Sequence, residues 1–208
     1  MNSLKILILS YRSAPFGGGQ GIYIKDLSKS LIDLGHKVTV LSGPPYPHLD
    51  TAVDLIKSSG LNLFETFSFK DRFYKFISHK NKTLTDFYEF LAVLAGGFPE
   101  MRTFGTRAKK HILKNNYDLV IDNQSISYGM EYIQILTPLI EVIHHPITMD
   151  LKHELETNKN LIYKISRLRW YSFLKMQKRV APKLNNIVTV SHSSKKDIVK
   201  DFKVQDKN

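Results

Sequence analysis

Residues 4–41 read as strand, glycine-rich loop, helix and strand, and that order constrains the fold more than any other feature of the chain. Leu4-Lys5-Ile6-Leu7-Ile8-Leu9-Ser10 is a short apolar run of the kind found in a buried strand. Ala14 to Gly21 follows, a loop with almost no side-chain bulk, holding Gly17, Gly18, Gly19 and Gly21. From Ile22 to Leu34 the apolar positions Ile22, Ile24, Leu27, Leu31, Ile32 and Leu34 oppose Lys25, Asp26, Lys29 and Asp33, a helical pattern closed by Gly35. Lys37-Val38-Thr39-Val40-Leu41 is the second strand. Glycines between a strand's C-terminal end and a helix N-terminus let backbone N–H groups approach an anionic or polyhydroxyl ligand closely. In open parallel sheets, ligands bind at that edge.

The alternation continues. Ser42 to Pro47, with three prolines, is a loop. Asn62 to Phe69 is expected to contain a strand in an aromatic-rich segment. Helices are expected over Thr85–Ala95 and Glu100–Asn115, broken between them at Gly96-Gly97-Phe98-Pro99. Strands follow at Tyr117–Asp122, Leu139–Ile143 and Asn186–Val190, with helices at Ile126–Ile135, Leu161–Ala181 and Lys195–Phe202. Five or six strands alternating with helices define an α/β fold, a doubly wound parallel sheet with helices on both faces. No internal repeat or low-complexity linker interrupts it, so residues 1–208 are expected to form a single Rossmann-like domain.

Several classes of function are excluded. With no cysteine, the chain has no disulfide and no thiolate-held zinc or iron–sulfur site. Residues 1–10 carry one lysine and a short apolar stretch, and Arg12 and the glycine loop stand where a signal-peptide cleavage site belongs. No run approaches the roughly 18–20 apolar residues a spanning helix needs. A cytoplasmic protein is the expectation. The net charge of +11 is uneven: residues 151–208 hold 14 Lys/Arg and 5 Asp/Glu, a balance of +9. Such a basic segment suits an anionic surface, lipid or nucleic acid, or is a solvated face. No helix-turn-helix, RNA-recognition or zinc pattern accompanies it, so no nucleic acid is expected as a partner.

The glycine loop fits neither common nucleotide fingerprint. Gly19-x-Gly21 is followed by Ile24 where G-x-G-x-x-G needs its third glycine, and Val40-Leu41-Ser42 supplies no carboxylate for a ribose. These absences speak against a nicotinamide-dependent oxidoreductase. A phosphate-binding G-K-[ST] loop would need a lysine before the helix, and none is present. A loop that only requires positive φ angles remains the structural alternative.

Ser10-Tyr11 through Gly18-Gly19, then Leu34-Gly35-His36-Lys37-Val38-Thr39-Val40, resembles the N-terminal domain of glycosyltransferase family 4. These are retaining, nucleotide-sugar-dependent enzymes of GT-B fold. The resemblance recurs in order at Tyr117-Asp118-Leu119-Val120, Val142-Ile143-His144, and Val188-Thr189-Val190-Ser191 with Ser194-Lys195. It implies that Gly18 and Gly19 lie against the donor's phosphates and the acceptor, with Gln20, His145 and Ser191 in the same donor- and acceptor-binding set. It implies that His144 is the catalytic residue, hydrogen-bonding the donor sugar for front-face attack. An imidazole suits this role because it can donate and accept near neutral pH. The implied nucleotide-sugar is a co-substrate, and no cofactor is expected. Nor is a metal: adjacent histidines such as His144 and His145 point to opposite faces of a strand, and Asp150 and Glu154 lie on another element.

In this family the nucleotide-sugar is held mainly by a second domain, with a basic pair for the pyrophosphate and an E-x7-E motif. Neither is expected within these residues. The implied reading is an acceptor-side domain, residues 1–208, without the C-terminal donor-binding domain, that folds alone but transfers no sugar. The alternative is a non-catalytic binding module, or a partner subunit of a split enzyme whose donor domain is a separate chain. Acceptor choice, of a glycan or lipid-linked molecule, is expected within residues 44–105. Lys164, Arg167, Lys175 and Lys178 recur at near-helical spacing beside Ile165, Leu168, Phe173, Leu174 and Val180. They are the candidate contacts with an anionic membrane surface, which would place the protein peripherally at the inner membrane face; an ordinary core helix with a basic outer face is the alternative.

Overall fold

The computed structural model describes residues 2–15 and 19–206. Six strands form one sheet: β1 (Lys5–Ser10), β2 (Lys37–Ser42), β3 (Asp54–Lys57), β4 (Leu119–Asn123), β5 (Leu139–Ile143) and β6 (Ile187–Thr189). All neighbours pair in parallel, in the order β3-β2-β1-β4-β5-β6. The order reverses between β1 and β4, so a crevice opens beyond their C-terminal ends.

The continuous apolar runs follow from burial on both faces. Leu7, Leu9, Val120, Leu139 and Ile143 face one helical layer, built from α4 (Glu100–Ile112), α5 (Tyr128–Leu136), α8 (Leu174–Val180) and α9 (His192–Phe202). Ile6, Ile8, Val38, Val40 and Val142 face the other, where α1 (Gly19–Asp33) contributes Ile24, Leu27 and Leu31. The expected doubly wound sheet with helices on both faces is therefore present. A third cluster lies off the sheet. In it Phe76 of α2 (Phe69–Ser78) stacks on Phe90 of α3 (Leu84–Leu94) at 4.4 Å, beside Leu61 and Leu63.

Several elements differ from expectation. Asn62–Phe69 is not a strand: Asn62 has a left-handed φ of 49°, and the aromatics from Phe69 onward belong to α2. The missing strand is β3, four residues at the sheet edge, half-buried and with charged ends, too short to show an alternation. α1 begins at Gly19 rather than Ile22, and α9 at His192 rather than Lys195. Leu161–Ala181 is not one helix. α7 (Leu161–Trp170) gives way to a 3-10 turn at Tyr171–Phe173 before α8 resumes. That turn buries Tyr171 and Phe173, and Phe173 packs edge-on against Phe98 at 5.6 Å. α6 (Thr148–Thr157) escaped the pattern because it buries no residue. It is held instead through Glu154, which pairs with Arg167 and accepts the Tyr171 hydroxyl at 2.9 Å.

Candidate functional site

The C-terminal sheet edge gathers Tyr11 and Arg12 after β1, Asn123 and Gln124 at the end of β4, and His144 and His145 after β5. Beside them stands the first turn of α1. It carries no acidic side chain, and a helix N-terminus of this kind favours an anion.

His144 is the most tightly specified side chain at this edge. Its backbone N–H donates to Gln124 Oε1 at 3.1 Å, and Gln124 Nε2 donates to the carbonyl of His145 at 3.0 Å. One buried amide thus grips the chain on both sides of the His144–His145 peptide. Asn123 Oδ1 lies 2.7 Å from His144 Nε2, and the Tyr23 ring meets the imidazole edge-on at 4.7 Å. Burial, with a smaller contribution from neighbouring His145, holds the imidazole pKa below its ordinary value, so the ring is neutral at pH 7. Where Asn123 Oδ1 accepts this bond, Nε2 carries the proton and Nδ1 is left as an acceptor. Gln124 and Ile126 adopt left-handed φ of 63° and 44°. Non-glycine residues held there cost roughly 1–3 kcal/mol each, a strain that clusters at functional sites.

Asn123→Asp tests this arrangement. A carboxylate at 2.7 Å favours the imidazolium, so the His144 pKa, followed by NMR, is expected to rise by about one unit or more. An unchanged titration would remove Asn123 from the site.

The other expected residues are distributed as follows. Gly18 lies outside the described residues. Gly19 is exposed, and a methyl group there would meet nothing within 4 Å. Gln20 hydrogen-bonds to Tyr11, whose hydroxyl burial nevertheless pushes up to about 12. His145 turns outward, its Nε2 3.3 Å from Asp150 of α6, so it is not brought together with His144. Ser191 caps α9, its Oγ accepting the Ser194 N–H at 3.1 Å, and it lines a groove of about 800 Å3 between β6, α9 and Val204–Asp206. Lys164 and Arg167 are on α7, and Lys175 and Lys178 on α8; Arg167 is engaged by Glu154. Among the described residues no group of three or more histidine or carboxylate side chains could hold a metal.

Asn123, Gln124 and Tyr23 were not singled out in the sequence, and neither was a second polar cluster beyond β1. Arg12 donates to Glu100 at 3.0 Å and to Glu65 at 3.2 Å, and its guanidinium lies 4.1 Å from the centre of the Phe64 ring. Burial drives Glu100 up to about 7 against the pull of Arg12. Arg107 bridges Asp86 and Glu89, each at 2.7 Å. Both clusters draw on the segment where acceptor choice was expected. The available signal was a polar residue ending an apolar strand at the ligand-bearing edge, as Asn123 does.

The family model for Glycosyltransferase Family 4 matches residues 17–208. An MMP alpha-(1->4)-mannosyltransferase from Mycolicibacterium hassiacum is 40% identical over 205 residues, 97% of this chain and 49% of the relative. The chain therefore spans about half the length of the curated relative it matches. The crystal structure of WaaG, a glycosyltransferase involved in lipopolysaccharide biosynthesis, superposes with a TM-score of 0.56 at 13% identity, covering 97% of this chain and 42% of that one; at that identity the likeness is one of fold. By the family match and the 40%-identical relative together, the chain belongs to glycosyltransferase family 4.

Proposed function

We propose that this chain is the acceptor-side half of a retaining glycosyltransferase, which passes a sugar from a nucleotide-sugar to a hydroxyl of a glycan or lipid-linked acceptor. The observation that carries the reading is His144, a neutral imidazole clamped by Asn123 and Gln124 at the sheet's C-terminal edge with one nitrogen left to accept. In this reading Nδ1 accepts a hydrogen bond from the donor sugar and fixes its face toward the attacking hydroxyl. The first turn of α1, at Gly19 and Gln20, lies against the donor's diphosphate, and the Arg12 and Arg107 clusters border the acceptor. The name of the 40%-identical relative makes mannose the first sugar to test.

Because the chain spans 49% of that relative, we assign the grip on the nucleotide to a second half outside these residues. We place the protein on the cytoplasmic side, in peripheral contact with an anionic inner-membrane surface. α7 supports this, since it buries none of its residues and exposes Leu161, Ile162, Ile165 and Leu168 beside Lys164.

Isothermal titration of this chain with UDP or GDP is expected to show millimolar affinity or none; micromolar binding would overturn the division of labour. Joining the chain to the C-terminal half of the Mycolicibacterium hassiacum relative supplies the remainder. The chimera is expected to transfer mannose, and His144→Ala to lower its turnover about 10²-fold or more. A chimera indifferent to that substitution would refute the role given to His144.

A further inference from the structure

We propose that the cavity between α3, α4, α5 and α8 is a binding site for a phosphate-bearing ligand. It is an open depression of about 290 Å3, and its wall carries the exposed side chains of Tyr88, Arg102, Tyr128, Ser172, Lys175 and Arg179. Among the described residues no carboxylate lines it, and neither Lys175 nor Arg179 has a hydrogen-bonding or ion-pair partner. Some cations elsewhere are paired, although others at the surface, such as Lys110, Lys114 and Lys178, are not. Arg12 is matched by Glu100, Arg107 by Asp86 and Glu89, Arg167 by Glu154, and Lys183 by Glu131.

The three cations are placed by structure. Lys175 and Arg179 are four residues apart on α8 and so share a face. Arg102 is held between two rings, 4.9 Å from the centre of Tyr88 and 5.5 Å from that of Tyr128, and donates to the Tyr88 hydroxyl at 3.2 Å. Like charges on one helix face repel, and a third cation across the cavity adds to the cost. An anion between them relieves it. Phosphate matches best, since its several acceptor oxygens can meet a guanidinium fork, an ammonium and hydroxyl donors together. A volume near the lower limit of small-molecule pockets, about 300 Å3, admits a phosphate and a small polar body attached to it. Tyr88 and Tyr128 offer flat walls for that body. The inference stands apart from the sugar-transfer reading.

The test titrates inorganic phosphate into the 15N-labelled full chain against sodium chloride at matched ionic strength. Saturable shifts are expected at residues 88, 102, 128 and 172–179. The double variant Lys175→Gln/Arg179→Gln is expected to weaken them about tenfold or more, and the control Lys110→Gln/Lys114→Gln to leave them in place. All four side chains are exposed, so unchanged circular dichroism is expected in both variants. Flotation with phosphatidylcholine vesicles, with and without phosphatidylglycerol, then separates the sources. Phosphatidylglycerol vesicles that retain the native chain but not the double variant identify a lipid headgroup. Vesicles that treat the two alike, with the phosphate shifts lost in the variant, identify a soluble phosphoester. Absence of saturable shifts at the cavity, or shifts that survive the double variant, overturns the proposal.

Discussion

Alanine at Gly21 is expected to destabilise the fold by about 3 kcal/mol, whereas alanine at Gly19 should change it by no more than about 0.5 kcal/mol. The two glycines lie in the same first turn of α1 and look equivalent in the sequence. A Cβ at Gly21 would stand 2.2 Å from the carbonyl oxygen of Ala14 and 3.0 Å from its carbon. Those atoms are main chain and cannot swing aside, so either the helix start or the segment leaving β1 must move. At Gly19 a Cβ meets nothing within 4 Å. Alanine is also the better helix former, which offsets any small loss. Urea denaturation of both variants measures the contrast. Equal losses would mean that the whole loop is built for packing. A stable Gly19→Ala that weakens sugar transfer in a two-half enzyme would mean that bare backbone there serves a ligand.

The same contrast shows what the sequence discloses and what it hides. β1, β2, β4 and β5 were legible because strands buried on both faces must be apolar at nearly every position, as Ile6-Leu7-Ile8-Leu9 is. β3 was not, because an edge strand of four residues with Asp54 and Lys57 at its ends carries no such run. The aromatics around Phe67 and Phe69 suggested a strand by their spacing of two. Phe69, Phe73 and Phe76 then continue at helical spacing, and α2 lays Phe76 on Phe90. Nothing local marks the break at Tyr171–Phe173, which holds neither glycine nor proline; it follows from aromatic packing against Phe98. At the site, His144 could be read as a histidine ending a strand. That Asn123 and Gln124 contact it could not: they are 20 or more positions away, and only the pairing of β4 with β5 brings them to it.

The second large effect concerns two carboxyls in the core. Asp122 and Glu141 face each other in register across β4 and β5, both fully buried. Asp122 Oδ2 accepts from the Ser125 N–H at 3.0 Å and the Ser125 hydroxyl at 2.7 Å. Gln177 of α8, also fully buried, donates to the Ser125 carbonyl at 3.5 Å. Burial raises both pKa values, and Glu141 stands well above the ordinary range because the Asp122 charge adds to its burial. Glu141 therefore holds its proton to higher pH in the folded protein than in the unfolded chain. Stability from this group is complete below the ordinary carboxyl value of 4.5 and declines as pH rises through the folded value. The slope is about 1.4 kcal/mol per pH unit for one proton. Glu100, raised to about 7, adds to the slope over its own range, so the informative quantity is the difference between variant and native chain. Glu141→Gln keeps a hydrogen-bond donor toward Asp122 and removes the titration. As pH rises from 5 to 8 the native protein is expected to lose more stability than the variant loses in urea denaturation. Identical profiles would show that the carboxyl of Glu141 is already ionised within the folded core.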